Sequence, residues 1–542
     1  MSGAEQANLL NDTTRTSGKD ALKKNIDAAV AVSDAIRSTL GPDGLDKMLI
    51  RDNGDAFVTN EGVTVLNEAK VEHPAAKMII SSAINQSNKL SDGTTTTVLL
   101  IAELLQNAWE LVTKGIHPTT IIEGYKIAMN HTISHLEHIS KEVKSKDDIL
   151  AIINTSLSGK GTSSMKNSIA NLAMISMDGV TKTNEEGVTF DPTLLKIIKD
   201  KGGTITDSWT MNGIVIPKQA VHPNMNTDIV DGAILLIDGG IEHKDLSINA
   251  SLKITSAGMI EEFKKQEVNR IKSEISEIAK LGINVLVCKD GISDEGIREL
   301  EKLGIAAYRR VEKNDLELLA KATGATISNN PQTCSKQHVG NFKRSREEKW
   351  GNVHHWIIDG VSNKGMTLIL KGSSSQIMDV AEGAFNDAIR LACNLERNKK
   401  MLPGGGGSYI SAARNIKSLK INELGREQLA LDAFAATLET VPMALAQNSG
   451  LNGLDELLNL ISSQSNLNNK DPNKASWLGI NLSSKTVENT LESGILDSAA
   501  VVLQSIKSST EAAIAILRID DVLWARQDPS IPDEVQQSLD NS

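Results

Sequence analysis

Apolar positions recur at helical spacing through the first ~150 residues. Ile26, Ala29, Val30, Ser33 and Ile36 share one face over 20–40, and Gly41-Pro42 ends that run with a C-cap residue and a breaker. Turn-rich Asp43-Gly44 and Asp52-Asn53-Gly54-Asp55 separate short apolar runs that read as strands. Residues 75–90 return to a helical pattern. After Ser91-Asp92-Gly93, residues 97–112 predict a buried helix carrying Leu100, Ile101, Leu104, Leu105 and Trp109. The middle differs: 214–216, 233–237 and 283–287 are short β-branched runs alternating with helical segments such as 259–280, whose Val268, Ile271, Ile275 and Ile278 mark one face. That alternation predicts an α/β region. From 378 on the pattern is helical again, through 391, 429–446 and 510–517, while Asn-rich 466–474 reads as a surface loop. Helical, then α/β, then helical is the order expected of one domain inserted into another.

Composition narrows the classes. The 542 residues suffice for three or four domains of ordinary size, about 150 residues each. Hydrophobic residues make up 40% and charged residues 23%, so the chain can supply sizeable cores. Lys plus Arg number 57 against 68 Asp plus Glu, a net charge of −11. No basic stripe appears, which argues against nucleic acid as a partner. No uninterrupted apolar run approaches ~18 residues, so no membrane partner is expected, and residues 1–20 carry no apolar signal segment. Three scattered cysteines, Cys288, Cys334 and Cys393, fit a reducing, cytoplasmic setting.

Three segments could cradle phosphate. Leu40-Gly41-Pro42-Asp43-Gly44 is a glycine-bearing turn at a helix end. Asp92-Gly93-Thr94-Thr95-Thr96-Thr97 sets a carboxylate, a glycine and hydroxyls at a helix start, where amides favour an anion and the carboxylate could hold Mg²⁺. Gly404-Gly405-Gly406-Gly407 could admit a ligand close to backbone. Each alone is a weak signal. Asp92 and its threonines also suit an N-cap, the glycine run a flexible loop, and Asp387 a solvated helix residue. None matches the Walker spacing.

Taken together, longer strings resemble the group II chaperonins. These are Thr39-Leu40-Gly41-Pro42, Thr59-Asn60-Glu61-Gly62, His73-Pro74-Ala75-Ala76-Lys77, Asp92-Gly93-Thr94-Thr95, Thr155 to Lys160, Val221-His222-Pro223-Asn224-Met225, Leu319 to Ala325, Pro403-Gly404-Gly405-Gly406 and Leu517-Arg518-Ile519-Asp520-Asp521. The resemblance covers nearly the whole chain. It is nearest to archaeal thermosome subunits, with eukaryotic cytosolic chaperonin subunits the near alternative. It implies a multidomain α and α/β chaperonin fold. A helical equatorial ATP-binding domain would comprise 1–147 and 402–542, an intermediate hinge domain 148–216 and 370–401, and an inserted apical α/β substrate-binding domain 217–369 with a lid protrusion near 246–269. It further implies ATP and Mg²⁺ as cofactors, identical or paralogous subunits in stacked double rings as partners, and unfolded proteins as clients, folded as ATP binding and hydrolysis close the lid.

By the same resemblance, Asp92 is the Mg²⁺ ligand. Leu40, Gly41, Pro42, Gly93, Thr94, Thr95 and Thr96 cradle phosphate. Gly159 and Lys160 belong to a loop sensing the γ-phosphate, and Gly405, Gly479 and Asp497 flank the nucleoside. Asp387 polarises the attacking water, with Glu61 beside it. Met259 and Phe263 could touch client or a neighbouring lid, or simply pack inside the apical domain. Several positions depart from the family pattern: Glu61 for Asp, Ser91 for Gly, Gly383 for Arg, Tyr409 for Glu, Ser498 for Pro and Val502 for Lys. Two expectations follow. One is a working ATPase. The other is a nucleotide-binding but weakly hydrolysing structural or regulatory subunit of a hetero-oligomer.

Overall fold

The computed structural model describes residues 13–51, 54, 56–69, 71–159, 165–184, 187–242, 257–361, 365–419 and 425–525. The chain forms two compact units, one from 1–166 with 398–542 and the other from 167–397. The insertion foreseen from the apolar pattern is therefore present.

The first unit is helical because its apolar residues recur every three to four positions. Its central helix, Thr94–Thr113, is so apolar that it is covered on nearly every side, burying Val98 to Ala102, Leu104, Leu105, Ala108, Leu111 and Val112. Around it pack Gly18–Arg37, Pro74–Leu90, Glu427–Asn448 and Ala499–Leu517. The buried Tyr125 hydroxyl donates to the Leu104 carbonyl at 2.8 Å, and its ring meets Phe434 edge-on at 5.7 Å. Strand Thr13–Ser17 pairs antiparallel with Asp521–Ala525, tying the two chain segments together. The apolar runs flanking 52–55 form an antiparallel hairpin, Lys47–Ile50 with Ala56–Thr59.

By length and composition alone, Glu427–Asn448 and Ala499–Leu517 are apolar enough to cross a bilayer. The sequence expectation weighed only uninterrupted apolar runs and missed them. Their apolar side chains, Leu431, Phe434, Leu438, Val502, Ile506 and Ile516 among them, are instead part of this helical core.

A second difference concerns 466–474. It is not simply a loop. Helix Gly453–Asn468 continues into it, and Pro472–Ala475 adds a helical turn capped by Asp471. The helix persists because Gln464 is a buried anchor, whose amide donates to the carbonyls of Gly407 and Leu478 at 3.0 and 2.9 Å.

The second unit holds a six-stranded mixed sheet in the order 306–308, 285–288, 229–237, 340–350, 353–360, 214–216. The first three strands are parallel, as their helical crossovers Ala257–Ala279 and Asp294–Lys302 require. Ile271, Ile275 and Ile278 of the first crossover are buried in the core with Ile234 to Ile237 and Val285 to Cys288. A three-stranded sheet joins 195–201, 366–372 and 209–212. Helix Ser375–Arg397 carries Asp387.

Candidate nucleotide pocket

A cavity of about 420 Å³ lies within the helical unit, a size suited to a small-molecule ligand. Leu40, Gly41, Pro42, Asp92, Gly93, Thr96, Gly405, Gly406, Tyr409, Asp497, Val501 and Val502 line it, joined by 480–483. Segments more than 400 residues apart in sequence thus share one wall.

The Asp92 turn is built by two left-handed residues between helices, Ser91 (φ 58°) and Gly93 (φ 80°). Ser91 stands in a conformation that costs a residue with a Cβ about 1–2 kcal/mol, at the position where the resemblance expects glycine. Gly93 N–H donates to Asp92 Oδ1 at 2.8 Å. Thr97 turns its hydroxyl back to the Gly93 carbonyl at 2.8 Å. The first amides of the 20-residue helix then have no partner within the helix, an arrangement that receives anions.

Gln86, which sequence reasoning missed, pins this turn. It is 1% exposed, and its Nε2 lies 3.1 Å from the Asp92 carbonyl, 3.1 Å from Ser505 Oγ and 3.4 Å from the Val501 carbonyl. A Cβ on Gly93 would lie 2.6 Å from Ser505 Oγ, so turn and helix are in close contact.

The Gly41 turn is held in a similar way. Asn448, ending helix Glu427–Asn448, donates to the carbonyls of Arg37 and Leu40 at 2.9 and 2.7 Å. The glycine run is not a flexible loop. Ile480 N–H donates to the Gly405 carbonyl at 3.0 Å, and a Cβ on Gly405 would stand 2.3 Å from the Ile480 carbonyl oxygen. Gly406 likewise packs on Pro442, a proline inside its helix.

Two carboxylates share the wall. Burial first, and then the Asp92 charge, raise the Asp497 carboxyl to about 7. Burial, followed by the charges of Asp497 and Asp92, pushes the Tyr409 phenol far up. Tyr409 is only 5% exposed. At a position where the resemblance expects glutamate, an aromatic ring thus forms an inner wall of the pocket.

The other residues singled out from sequence are distributed as follows. Thr94 is buried in its helix, and Thr95 Oγ1 sits 2.7 Å from where a Cβ on Gly62 would be. Gly159 packs on Gly41, with a Cβ there 2.0 Å from the Gly41 carbonyl oxygen, and Gly479 packs on the Gly404 carbonyl oxygen at 2.3 Å by the same measure. Both support the wall from behind. Glu61 precedes helix Gly62–Glu68, and its Oε2 accepts from Thr64 Oγ1 at 2.7 Å. It is not among the lining residues. Val502 is 3% exposed and puts an apolar surface on the wall. Ser498 is buried in strand Leu496–Ser498. Lys160 and residues 246–256 of the 246–269 segment lie outside the described residues, as do the side chains of Met259 and Phe263, which fall on helix Ala257–Ala279. Asp387 is half-buried in the second unit, on the helix that also bears the exposed Gly383.

The residues present fit a magnesium nucleotide. Among the described residues no cluster of three or more His, Cys, Asp or Glu could hold a metal unaided. A hard cation would need phosphate oxygens besides Asp92, the usual arrangement for Mg²⁺. Two mutually repelling carboxylates beside unpartnered helix amides suit that cation with its anion.

Residues 32–527 match the model of the TCP-1/cpn60 chaperonin family. Thermosome subunit alpha of Archaeoglobus fulgidus is 37% identical over 521 residues, covering 96% of this chain and 94% of that protein. Thermosome subunit beta of Thermoplasma acidophilum is 35% identical over 518 residues, 95% and 94% of the two chains. A thermosome subunit of Methanocaldococcus jannaschii is 37% identical over 531 residues, 97% and 96%.

Proposed function

This chain belongs to the TCP-1/cpn60 chaperonin family, in its archaeal group II branch, and we propose that it is an ATP-dependent folding subunit. The pocket carries this reading, because it joins an acidic turn, a helix N-terminus and a glycine wall around one ligand-sized cavity. In this reading the amides after Gly93 and the Gly41 turn bind phosphate, Asp92 holds Mg²⁺, and Gly405 and Asp497 flank the nucleoside. Bound Mg²⁺ would neutralise phosphate charge. Asp387 accepts a hydrogen bond from the attacking water and orients it, and Lys160 meets the terminal phosphate. Positioning and charge neutralisation are what phosphoryl transfer asks of a protein. In the hinge domain that the family resemblance implies, Asp387 would couple hydrolysis to domain movement.

The assembly expected is a stacked double ring of identical or paralogous subunits enclosing unfolded clients in the cytoplasm, each subunit divided into the three domains given above. Met48, Ile50 and Val58 on the 47–59 hairpin are 68%, 73% and 49% exposed, an apolar surface that suits a protein neighbour. A second reading, slow hydrolysis in a structural or regulatory subunit, is favoured by Val502 on the pocket wall and by Glu61 turned onto its own helix.

The test is Mg²⁺-dependent phosphate release by the purified assembly beside Asp387→Ala and Asp92→Ala. Turnover should fall at least ~100-fold in Asp387→Ala with nucleotide still bound, and binding itself should weaken in Asp92→Ala. Bound nucleotide without turnover in the unmodified protein would favour the structural subunit. No nucleotide binding at all would overturn both.

A further inference from the structure

Beside the carboxylates Asp92 and Asp497, the described lining of the cavity includes one cation, Lys166. Lys166 opens helix Lys166–Val180. Its Nζ lies 3.3 Å from Ser158 Oγ, and no described carboxylate forms an ion pair with it. An ammonium has three donors, so one hydroxyl contact leaves two for a ligand.

Its position along the cavity follows from its neighbour. Ser158 precedes Gly159, whose backbone is pressed against Gly41 and Pro42 so closely that a Cβ would lie 2.0 Å from the Gly41 carbonyl oxygen and 3.1 Å from Pro42 Cα. The ammonium therefore stands at the Gly41–Pro42 part of the wall. There two carboxylates and an apolar Val502 would otherwise leave a polyanion without a cationic side chain among the described lining residues. A lysine on a long stem, facing an open cavity and held by a single hydroxyl, is placed to follow a mobile phosphate as a point charge.

We propose that Lys166 is a phosphate-binding residue of this cavity, contacting the distal phosphates of a nucleoside triphosphate. The proposal rests on the nucleotide reading above and names a contact additional to it. Charge-assisted bonds strengthen as the ligand's charge grows at that end, so discrimination by phosphate number is its signature.

The full-length assembly is titrated with the β,γ-imido analogue of ATP, with ADP and with adenosine, each with Mg²⁺, in wild type, Lys166→Gln and Lys166→Arg. Lys166→Gln should weaken the triphosphate analogue about tenfold or more, weaken ADP less, leave adenosine unchanged and flatten the salt dependence. Lys166→Arg should restore most of the affinity. Equal losses for all three ligands would mean that Lys166 only supports the fold around Ser158, and no loss for any would mean that it does not reach the ligand. Either result overturns the proposal while nucleotide binding stands. Failure of wild type to bind any of the three would instead bring down the nucleotide reading, and this proposal with it.

Discussion

Two glycines, one in each unit, make opposite demands on their surroundings. Gly405, in the helical unit, has φ 57° and would thrust a Cβ to 2.3 Å from the Ile480 carbonyl oxygen. Gly383, on the Ser375–Arg397 helix of the α/β unit, is exposed, and a Cβ there would meet nothing within 4 Å. The first is glycine because two backbones touch. The second is glycine with no packing reason. The helical unit makes its cavity from backbone-to-backbone contact, which leaves no slack. The α/β unit fills its core largely with aliphatic side chains, and there Trp356 Nε1 donates to Ser345 Oγ at 2.8 Å and the Tyr308 hydroxyl to Glu347 at 3.0 Å. A change at a backbone contact of the pocket such as Gly405 should therefore cost both function and stability, while a change at an open position such as Gly383 should cost neither.

The largest test of that contrast is Gly405→Ala. The added methyl must displace the Ile480 strand and hold a left-handed backbone. Overpacking costs about 1–3 kcal/mol, and the strained φ about 1–2 kcal/mol more. Nucleotide binding should be lost, and the chemical-denaturation midpoint should fall. A variant with normal affinity and an unchanged midpoint would show that the wall yields, and the contrast would collapse.

Less of this wall than of the fold was legible in the sequence. The helical periods around Ile26 and Leu104 and the β-branched runs at 233–237 and 283–287 report local burial, which repeats along the chain. The Asp92 turn was legible because it sits between two helices. Gln86 was not, since its partner Val501 is 415 residues away and its neighbours look like an ordinary polar helix face. Tyr409 and Gln464 were hidden for the same reason: each points inward only because of where a distant segment packs. The glycine run was visible, but whether it flexes or packs depends on Ile480 and Pro442, which composition does not bring together.

A smaller effect should come from Asp497→Asn, which probes the cost of placing two carboxylates in one wall. In the folded protein Asp497 titrates near 7, against about 3.9 for an unperturbed Asp. The folded state thus favours the protonated form. The stabilising contribution of this carboxyl is fully present below about pH 4 and is lost as pH rises through about 7. Asparagine has no such loss. Without nucleotide and with divalent cations chelated, Asp497→Asn should be more stable than wild type at pH 8, on the order of 2 kcal/mol once the part open to the cavity is discounted, and nearly equal to it at pH 4. Thermal unfolding at the two pH values measures this. The same advantage at both would mean that the repulsion from Asp92 and the burial are not what raise the carboxyl.

The smallest effect, and the one of opposite sign, is expected at Gly383. A glycine inside an exposed helix leaves more backbone freedom to lose on folding than alanine does, about 0.5–1 kcal/mol. Nothing is available for a methyl to strike. Gly383→Ala should therefore raise the unfolding midpoint by that small amount and leave nucleotide affinity in the other unit unchanged. A fall instead would show that this helix face is covered in the assembled protein by a surface the isolated chain does not contain. The open space around Gly383 would then be a docking clearance, and the α/β unit would prove as intolerant there as the pocket is at Gly405.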